Sequence, residues 1–458
     1  MSDTTKFDTG KMINRKKTAP DPEQAVRQKH VVTPSRGGRT LRSMFIKGAI
    51  ALLVVGLIFF MWSKPIQSFA VVIDAGSTGS RIHVYEFHTI GGVPKLKDEL
   101  FVQLKPGLSS YATDPTEGAN SLRPLLAHAL EKIPAAHLPH TPVMIGATAG
   151  LRMLPGSQAD DLLRGSRDLL RSDYDFKPFE DDAVSIMSGD NEGKFAWLAV
   201  NMLTAKLGGS PAETVGVIDL GGGSVQMMRA LDPTTSAAAP TGYVLQSMWQ
   251  TKKYDLFVHS FLGYGLMAGR LAVLKQNGAA ADCIPQGAHG TYKYNKEEVD
   301  ASGSTAGSDF SRCHAAAVKA LNVDKPCGAQ KGCAFDGGWG AKDSATNTEF
   351  YLLSYLYERI EQSGAGQFEP EEGIGKSSVT ELERAAKNIC SKSLDQLKAA
   401  PDMHPEDPAY FCLDLSYIHA LLYVGFGIKS GFKMAKKFDI NNVKYEAAWS
   451  LGAALEML

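Results

Sequence analysis

One loop occurs twice in this chain, and any fold it adopts must accommodate both copies. From Ala70 to Phe87 the sequence reads AVVIDAGSTGSRIHVYEF. An apolar, β-branched run turns through Asp74, Gly76, Ser77, Thr78 and Gly79 and resumes with strand-like alternation, the pattern of a β-hairpin. The same grammar returns from Val215 to Met228 as VGVIDLGGGSVQMM, with Asp219, then Gly221, Gly222, Gly223 and Ser224 in the turn. Glycines let backbone N–H groups converge on an anion without Cβ obstruction, and the hydroxyls of Ser77, Thr78 and Ser224 add donors. Each aspartate ends a buried strand, where a carboxylate is costly without a cation or donors. Asp74 and Asp219 are therefore candidates to hold a hydrated Ca²⁺ or Mg²⁺ that bridges phosphate oxygens, the metal bound through water. A single Gly-rich turn between strands is usually only a turn, whereas two of one design point to a pair of phosphate grips. The fingerprints of Rossmann dinucleotide sites and of P-loops are absent.

At 458 residues and 44% apolar content, the chain can build two packed domains. A formal net charge of −1 offers no general attraction for nucleic acid, so phosphate binding has to be local. The charge that is unevenly placed lies at the start: residues 1–47 hold eleven Lys or Arg against four Asp or Glu. A disordered basic tail over 1–43 is expected, followed by one transmembrane signal anchor over 44–62, an apolar run broken only by Lys47. Arg36, Arg39 and Arg42 precede the run and Lys64 follows it, which predicts a cytosolic N-terminus and a lumenal or extracellular remainder, a single-pass type II arrangement. A cleavable signal peptide is the alternative. All six cysteines (Cys283, Cys313, Cys327, Cys333, Cys390, Cys412) follow the run, and with no C-x-x-C pair three disulfides are expected rather than zinc. Fifteen connectivities are formally open, of which sequential pairing is the simplest.

The doubled hairpin resembles the actin, heat-shock 70 and sugar-kinase superfamily, in which two related α/β domains each offer a phosphate hairpin to one nucleotide. Further segments narrow the resemblance. GATAGLRML (Gly146 to Leu154), SGDNEGKFAW (Ser188 to Trp197), VHSFLGYGLMAGR (Val258 to Arg270), CAFDGGWG (Cys333 to Gly340), CLDLSYIHALLYVGFGI (Cys412 to Ile428) and YEAAWSLGAAL (Tyr445 to Leu455) follow one another with the two loops in a telling order. In that order and spacing they are similar to the nucleoside triphosphate diphosphohydrolases, the apyrases and nucleoside diphosphatases, with plant-type apyrases nearest. The match runs from Ala70 to Leu458.

That resemblance implies site roles. Hydrolysis needs a base within reach of a water in line with the terminal phosphorus, and the family's catalytic glutamate falls on Glu192. Read from the residues, Gly189 and Gly193 bracket a turn, a helix begins near Lys194, and Glu192 projects from the loop before it or caps the helix. Thr148 corresponds to the family threonine that orients water, and Ser224 with Gln226 to the residues that position the nucleophile. The amides of Gly222 and Gly223, with Gly76, Ser77, Thr78, Gly79 and Gly221, would grip the phosphates without a covalent phosphoenzyme. The usual alanine before the loop serine is Gly223 here, and Val225 replaces a common threonine. Arg81 and Arg152 are either phosphate clamps or ion-pair partners. Tyr351, Tyr355 and Phe426 are candidates to stack on the base, against the plain alternative of core aromatics. His83 and His259 are expected to pack or hydrogen-bond structurally.

The expected architecture is a pair of RNase H-like α/β lobes around an interlobe nucleotide cleft. The first lobe would comprise 69–188 plus 433–458, and the second 189–432. The implied substrates are nucleoside di- and triphosphates, acted on in the Golgi or endoplasmic reticulum, with an extracellular ATP- and ADP-degrading enzyme as the alternative and a non-catalytic nucleotide-binding protein as the next. Oligomeric state is left open by the sequence.

Overall fold

The computed structural model describes residues 44–53, 65–76, 78–328, 332–340, 348–369, 373–400 and 407–458. The expected basic tail, the second half of the expected span and Ser77 lie outside them. Residues 44–53 are helical. Among the described residues no helix is long and apolar enough to cross a membrane. Residues Met1–Trp62 and Ser63–Leu458 are separate units, and both sheets belong to the second.

The first sheet is built on the run that precedes the first loop. β1 (Ile66–Ala75) is central in a five-stranded sheet with β2 (Ser80–Ile90), β3 (Val93–Leu104), β4 (Val143–Ala147) and β5 (Val184–Ile186), in the order β3-β2-β1-β4-β5. Both faces of β1 are covered from Phe69 to Ile73, as its continuous apolar run there requires. β1 pairs antiparallel with β2 and parallel with β4.

The second sheet has eight strands and repeats that plan. β6 (Gly216–Leu220) and β7 (Ser224–Ala230) form the second hairpin, followed by β8 (Val244–Trp249) and β9 (Lys252–Leu262). A small hairpin, β10 (Thr291–Tyr294) with β11 (Glu297–Asp300), stands apart; β12 (Phe350–Ser354), β13 (Gln367–Glu369), β14 (Ile374–Ser378) and β15 (Gly431–Ala435) complete the sheet. Its order is β13-β14-β15-β12-β6-β7-β9-β8. Within it β9-β7-β6-β12-β15 matches β3-β2-β1-β4-β5 in order and in direction, antiparallel, antiparallel, parallel, parallel. The duplication suggested by the two loops thus extends to whole sheets.

The layer between the sheets consists of two helices, Gly189–Leu203 and Trp449–Met457. One continuous core joins Ala70, Val72 and Tyr85 of the first sheet, Trp197 and Leu451 of these helices, and Val217, Met228 and Leu353 of the second sheet. The helices Arg123–Lys132 and Gln158–Asp173 cover the outer face of the first sheet. The chain returns to the first sheet through the hairpin of β16 (Lys437–Ile440) and β17 (Val443–Glu446): the Glu446 N–H donates to Glu99 Oε2 at 2.7 Å, and Tyr85 Oη lies 2.8 Å from Ser450 Oγ. Because β15 belongs to the second sheet through Ala435, this return comes a few residues later than the division at 432/433.

Three disulfides, Cys283–Cys313, Cys327–Cys333 and Cys390–Cys412, follow the sequential pairing and all lie in the second half. One local expectation fails. The helix carrying Glu192 starts at Gly189, not near Lys194, because Ser188 caps it by accepting from the Asn191 N–H at 3.1 Å. Gly189 and Gly193 are not turn residues. Four apart on one helical face, they let the helix lie directly on β9: an added Cβ would meet Ser260 Oγ at 2.1 Å and Val258 Cγ1 at 2.7 Å.

Candidate active site

The two hairpins bring their loops to the ends of the two central strands, and both loops close alike. The Gly76 N–H donates to the Gly79 carbonyl at 3.1 Å, and the Gly221 N–H to the Ser224 carbonyl at 3.0 Å. This equivalence places Ser224 opposite Gly79, so the hydroxyls of the two loops do not correspond. Asp74 faces Arg81 across its hairpin, and Asp219 faces Gln226.

In the second loop the carbonyls are all tied back. Gly221, Gly222 and Gly223 accept from the N–H groups of Leu266, Met267 and Gly263 at 2.9, 3.0 and 2.8 Å. The donors of the first two open the helix Leu266–Leu274, whose N-cap Gly265 sits so close that an added Cβ would be 2.4 Å from Ser224 N. With the carbonyls turned to the helix, the Gly222 and Gly223 amides have no protein acceptor among the described residues. Free amides of this kind form an anion cradle. Gly263 and Gly265 have no role in the sequence-based expectations, although the pair of glycines in VHSFLGYG is a visible sign of close backbone approach.

Glu192 lies in the first turn of its helix, its side chain 12% exposed, and Arg152 Nη2 donates to its Oε2. Burial raises the Glu192 carboxyl to about 8; Arg152 pulls it down, and Asp219 and Asp74 push it up. Of the two readings of Arg152, the ion pair is therefore the one seen, but with the candidate base as its partner. Gln226 Nε2 donates to Ser224 Oγ at 2.8 Å and Ser260 Oγ at 3.0 Å, and stands 3.4 Å from Glu192 Oε2. Thr148 follows β4, buried, its N–H donating to the Ala75 carbonyl at 3.3 Å and its carbonyl opening the short helix Ala149–Arg152. Glu192, Arg152, Ser224 and Gln226 thus form one connected cluster, with Thr148 four residues from its arginine.

Asp74 Oδ2 accepts from Arg81 Nη1 at 3.3 Å, while its Oδ1, like Oδ1 of Asp219, is buried without a hydrogen-bond partner. Burial raises both carboxyls, that of Asp219 to about 6, with Asp74 adding to the rise and Ser354 opposing it. Two orphaned carboxylate oxygens at the ends of the two central strands are donors of the kind a hard divalent cation takes. Among the described residues no cluster of three or more His, Cys, Asp or Glu could hold a metal by protein ligands alone.

A chain with these paired loops matches the GDA1/CD39 (nucleoside phosphatase) family over residues 62–458. It belongs to that family. A probable apyrase 2 of Oryza sativa subsp. japonica is 40% identical over 85% of this chain and 86% of its own length. A guanosine-diphosphatase of Schizosaccharomyces pombe (strain 972 / ATCC 24843) is 35% identical over 86% of this chain and 74% of its own. Among solved structures, nucleoside triphosphate hydrolases from Neospora caninum share the fold, with a TM-score of 0.63 at 15% identity over 90% of this chain and 96% of theirs. The protein is a nucleoside phosphatase, and its chemistry is hydrolysis of nucleoside phosphates.

Tyr351 and Phe426, expected to stack on the base, are both buried among other aromatic rings, as in the alternative of core aromatics. Tyr351 is the second residue of β12, 6% exposed, its ring 5.7 Å from that of Phe438 in the layer between the sheets. Phe426, 1% exposed, packs against Phe335 and Phe261 at 5.3 and 5.8 Å. Tyr355, just beyond β12, is half-buried with the Arg359 guanidinium 5.5 Å from its ring centre. His83 pairs with Glu99 at 2.7 Å with both side chains buried, and His259 lies 4.7 Å from Tyr243 and 4.5 Å from Phe261, ring centre to ring centre.

Proposed function

We propose that this nucleoside phosphatase removes the terminal phosphate of nucleoside di- and triphosphates by direct attack of water, with Glu192 as the general base. The observation that carries the reading is the position of the Glu192 carboxylate, buried at a helix N-terminus and joined through Gln226 to the loop whose Gly222 and Gly223 amides are free. A base with its pKa near the working pH combines the ionised form with useful basicity. Ser224 and Gln226 would orient the water, as would Thr148 from the other lobe. The amides of Thr78, Gly79, Gly222 and Gly223, with Ser77, would hold the phosphates and stabilise charge as it develops on them, while the Gly76 and Gly221 N–H groups, expected among the phosphate donors, close their own loops instead.

Asp74 and Asp219 would hold Ca²⁺ or Mg²⁺ through water, their orphaned oxygens fitting such a role. When bound, the cation supplies neutralisation of phosphate charge. Three disulfides favour an oxidising compartment, and the apolar run over 44–62 favours a membrane anchor, so we place the enzyme in the Golgi or endoplasmic reticulum lumen acting on nucleoside diphosphates. The relative from Schizosaccharomyces pombe, by name a guanosine-diphosphatase, supports this choice over extracellular removal of ATP.

The test is phosphate release by the purified protein from ATP, ADP, GDP, UDP and AMP with Ca²⁺, Mg²⁺ or chelator, repeated with Glu192→Gln. Metal-dependent release from GDP and UDP, little from ATP, and loss of turnover in the variant with nucleotide binding kept is the expected result. Undiminished turnover by Glu192→Gln would sink the assignment of the base, and preference for ATP the lumenal diphosphatase.

A further inference from the structure

Gln226 is held from a side its own loop does not supply. Asp219, Gln226 and Ser260 are aligned across β6, β7 and β9 as successive cross-strand partners, so their side chains share one face of the sheet. The helix Gly189–Leu203 covers that face. Its Gly189 leaves the space that Ser260 fills, an added Cβ there falling 2.1 Å from Ser260 Oγ and 2.3 Å from its Cβ. Ser260 is thus clamped between helix and sheet with its hydroxyl on Gln226.

An amide nitrogen carries two N–H groups. Three oxygens surround that of Gln226, and the two shortest contacts are Ser224 Oγ at 2.8 Å and Ser260 Oγ at 3.0 Å, with Glu192 Oε2 behind at 3.4 Å. Both N–H groups are thereby used by hydroxyl oxygens. The Gln226 carbonyl oxygen is left as an acceptor for a water O–H, and Ser224, accepting from Gln226, keeps its own proton to donate. Without Ser260 one N–H is released, and its nearest remaining acceptor is the Glu192 carboxylate.

We propose that Ser260 is a positioning residue for hydrolysis: by accepting from Gln226 it fixes the amide so that the carbonyl oxygen, not the nitrogen, meets the attacking water. The inference rests on the reading of Gln226 as a water-orienting residue.

The experiment compares kcat and KM for GDP in the full chain, Ser260→Ala, Ser260→Thr, Gln226→Ala and the double variant Ser260→Ala/Gln226→Ala. Loss of one neutral hydrogen bond predicts that Ser260→Ala lowers kcat about tenfold with KM unchanged. Ser260→Thr, which keeps the hydroxyl, should stay within about threefold of the parent, and the double variant should match Gln226→Ala to within about twofold because one residue acts through the other. If Ser260→Ala does not fold, Ser260→Cys, with its weakly accepting sulfur, takes its place with the same expectations. Parental kcat in Ser260→Ala, an unchanged penalty in the Gln226→Ala background, or a Ser260→Thr as slow as Ser260→Ala while folded would each overturn the proposal. A defect in Gln226→Ala with none in Ser260→Ala overturns this inference alone; parental kcat in Gln226→Ala overturns the role of Gln226 as well.

Discussion

Arg81 and Gln226 occupy equivalent places, each directly across a hairpin from the aspartate that ends the central strand of its sheet. Only the first lobe therefore sets a cation beside its aspartate. Arg81 lowers the carboxyls of both Asp74 and Asp219 against the effect of burial. Replacing it by glutamine, the residue of the other lobe, should have opposite effects at the two ends of the pH range. Near pH 8 a divalent cation should bind several-fold tighter, freed from a like charge, whereas near pH 5 protons should compete better and binding should weaken. Calorimetric titration of Mg²⁺ at both pH values checks this, and a uniform change would contradict it.

Arg152 and Glu192 make a pH-rate prediction. Burial already holds the Glu192 carboxyl at about 8, and Arg152 is the group that pulls it down. Without the guanidinium the carboxyl protonates more readily, so the acid limb of kcat must move to higher pH in Arg152→Met. Each unit of movement costs about tenfold in the ionised base below the limb. The loss should be several times larger at pH 6.5 than at pH 9.

Stability without metal should fall as pH rises. Asp74, Asp219 and Glu192 all have carboxyls above their ordinary values, so between about pH 4, near the unfolded carboxylate pKa, and about 8 the folded state holds more protons than the unfolded one. Stability from these groups is complete below the unfolded value and is lost as pH climbs through the folded ones. A cation at Asp74 and Asp219 should remove their share of that loss. Melting temperatures at pH 5, 6, 7 and 8 should therefore show a gap between Mg²⁺-loaded and chelated protein that widens up to about pH 6, where Asp219 ionises, and levels off above it; a gap that is the same at pH 5 and pH 7 would place the metal elsewhere.

Gly189 and Gly193 should resist replacement. Alanine normally stabilises a helix interior by about 1 kcal/mol over glycine. Here the new methyl groups would collide with Ser260 Oγ and Val258 Cγ1, and overpacking should reverse the sign, costing about 1–3 kcal/mol. Urea midpoints report the stability, and a fall in kcat beyond it would follow from the displaced Glu192.

Tyr351 should behave as core. Truncation to alanine should cost about 3–5 kcal/mol, as for other large buried aromatics, while the ratio of kcat/KM for GDP and UDP stays as it is in the parent. A change in that ratio with unchanged stability would restore the base platform.

Much of this molecule could be read locally. The alternation around Asp74 and Asp219, the glycines of the two loops and the spacing of six cysteines each depend on neighbours close in sequence, where backbone preference and hydrophobic pattern act directly. Both hairpins followed from them, whereas for the disulfides sequential pairing was only the simplest of fifteen open connectivities. Ser188 is a legible N-cap too, but Gly189 and Gly193 have the look of a turn, since nothing in their own segment reveals that β9 lies against them.

What tertiary structure alone decided is which distant side chains meet. The partner of Glu192 is Arg152, 40 residues away, and that of Gln226 is Ser260, 34 residues away. Both pairings depend on strand register and on how closely one helix settles on a sheet. The same holds for Tyr351 and Phe426, which have aromatic spacing suited equally to a platform or a core. The sequence by itself named candidate residues such as Glu192 and Gln226; their hydrogen-bond partners and the direction in which the Glu192 carboxyl is shifted were set by packing, because burial and cross-strand alignment exist only once the two sheets close on the helices between them.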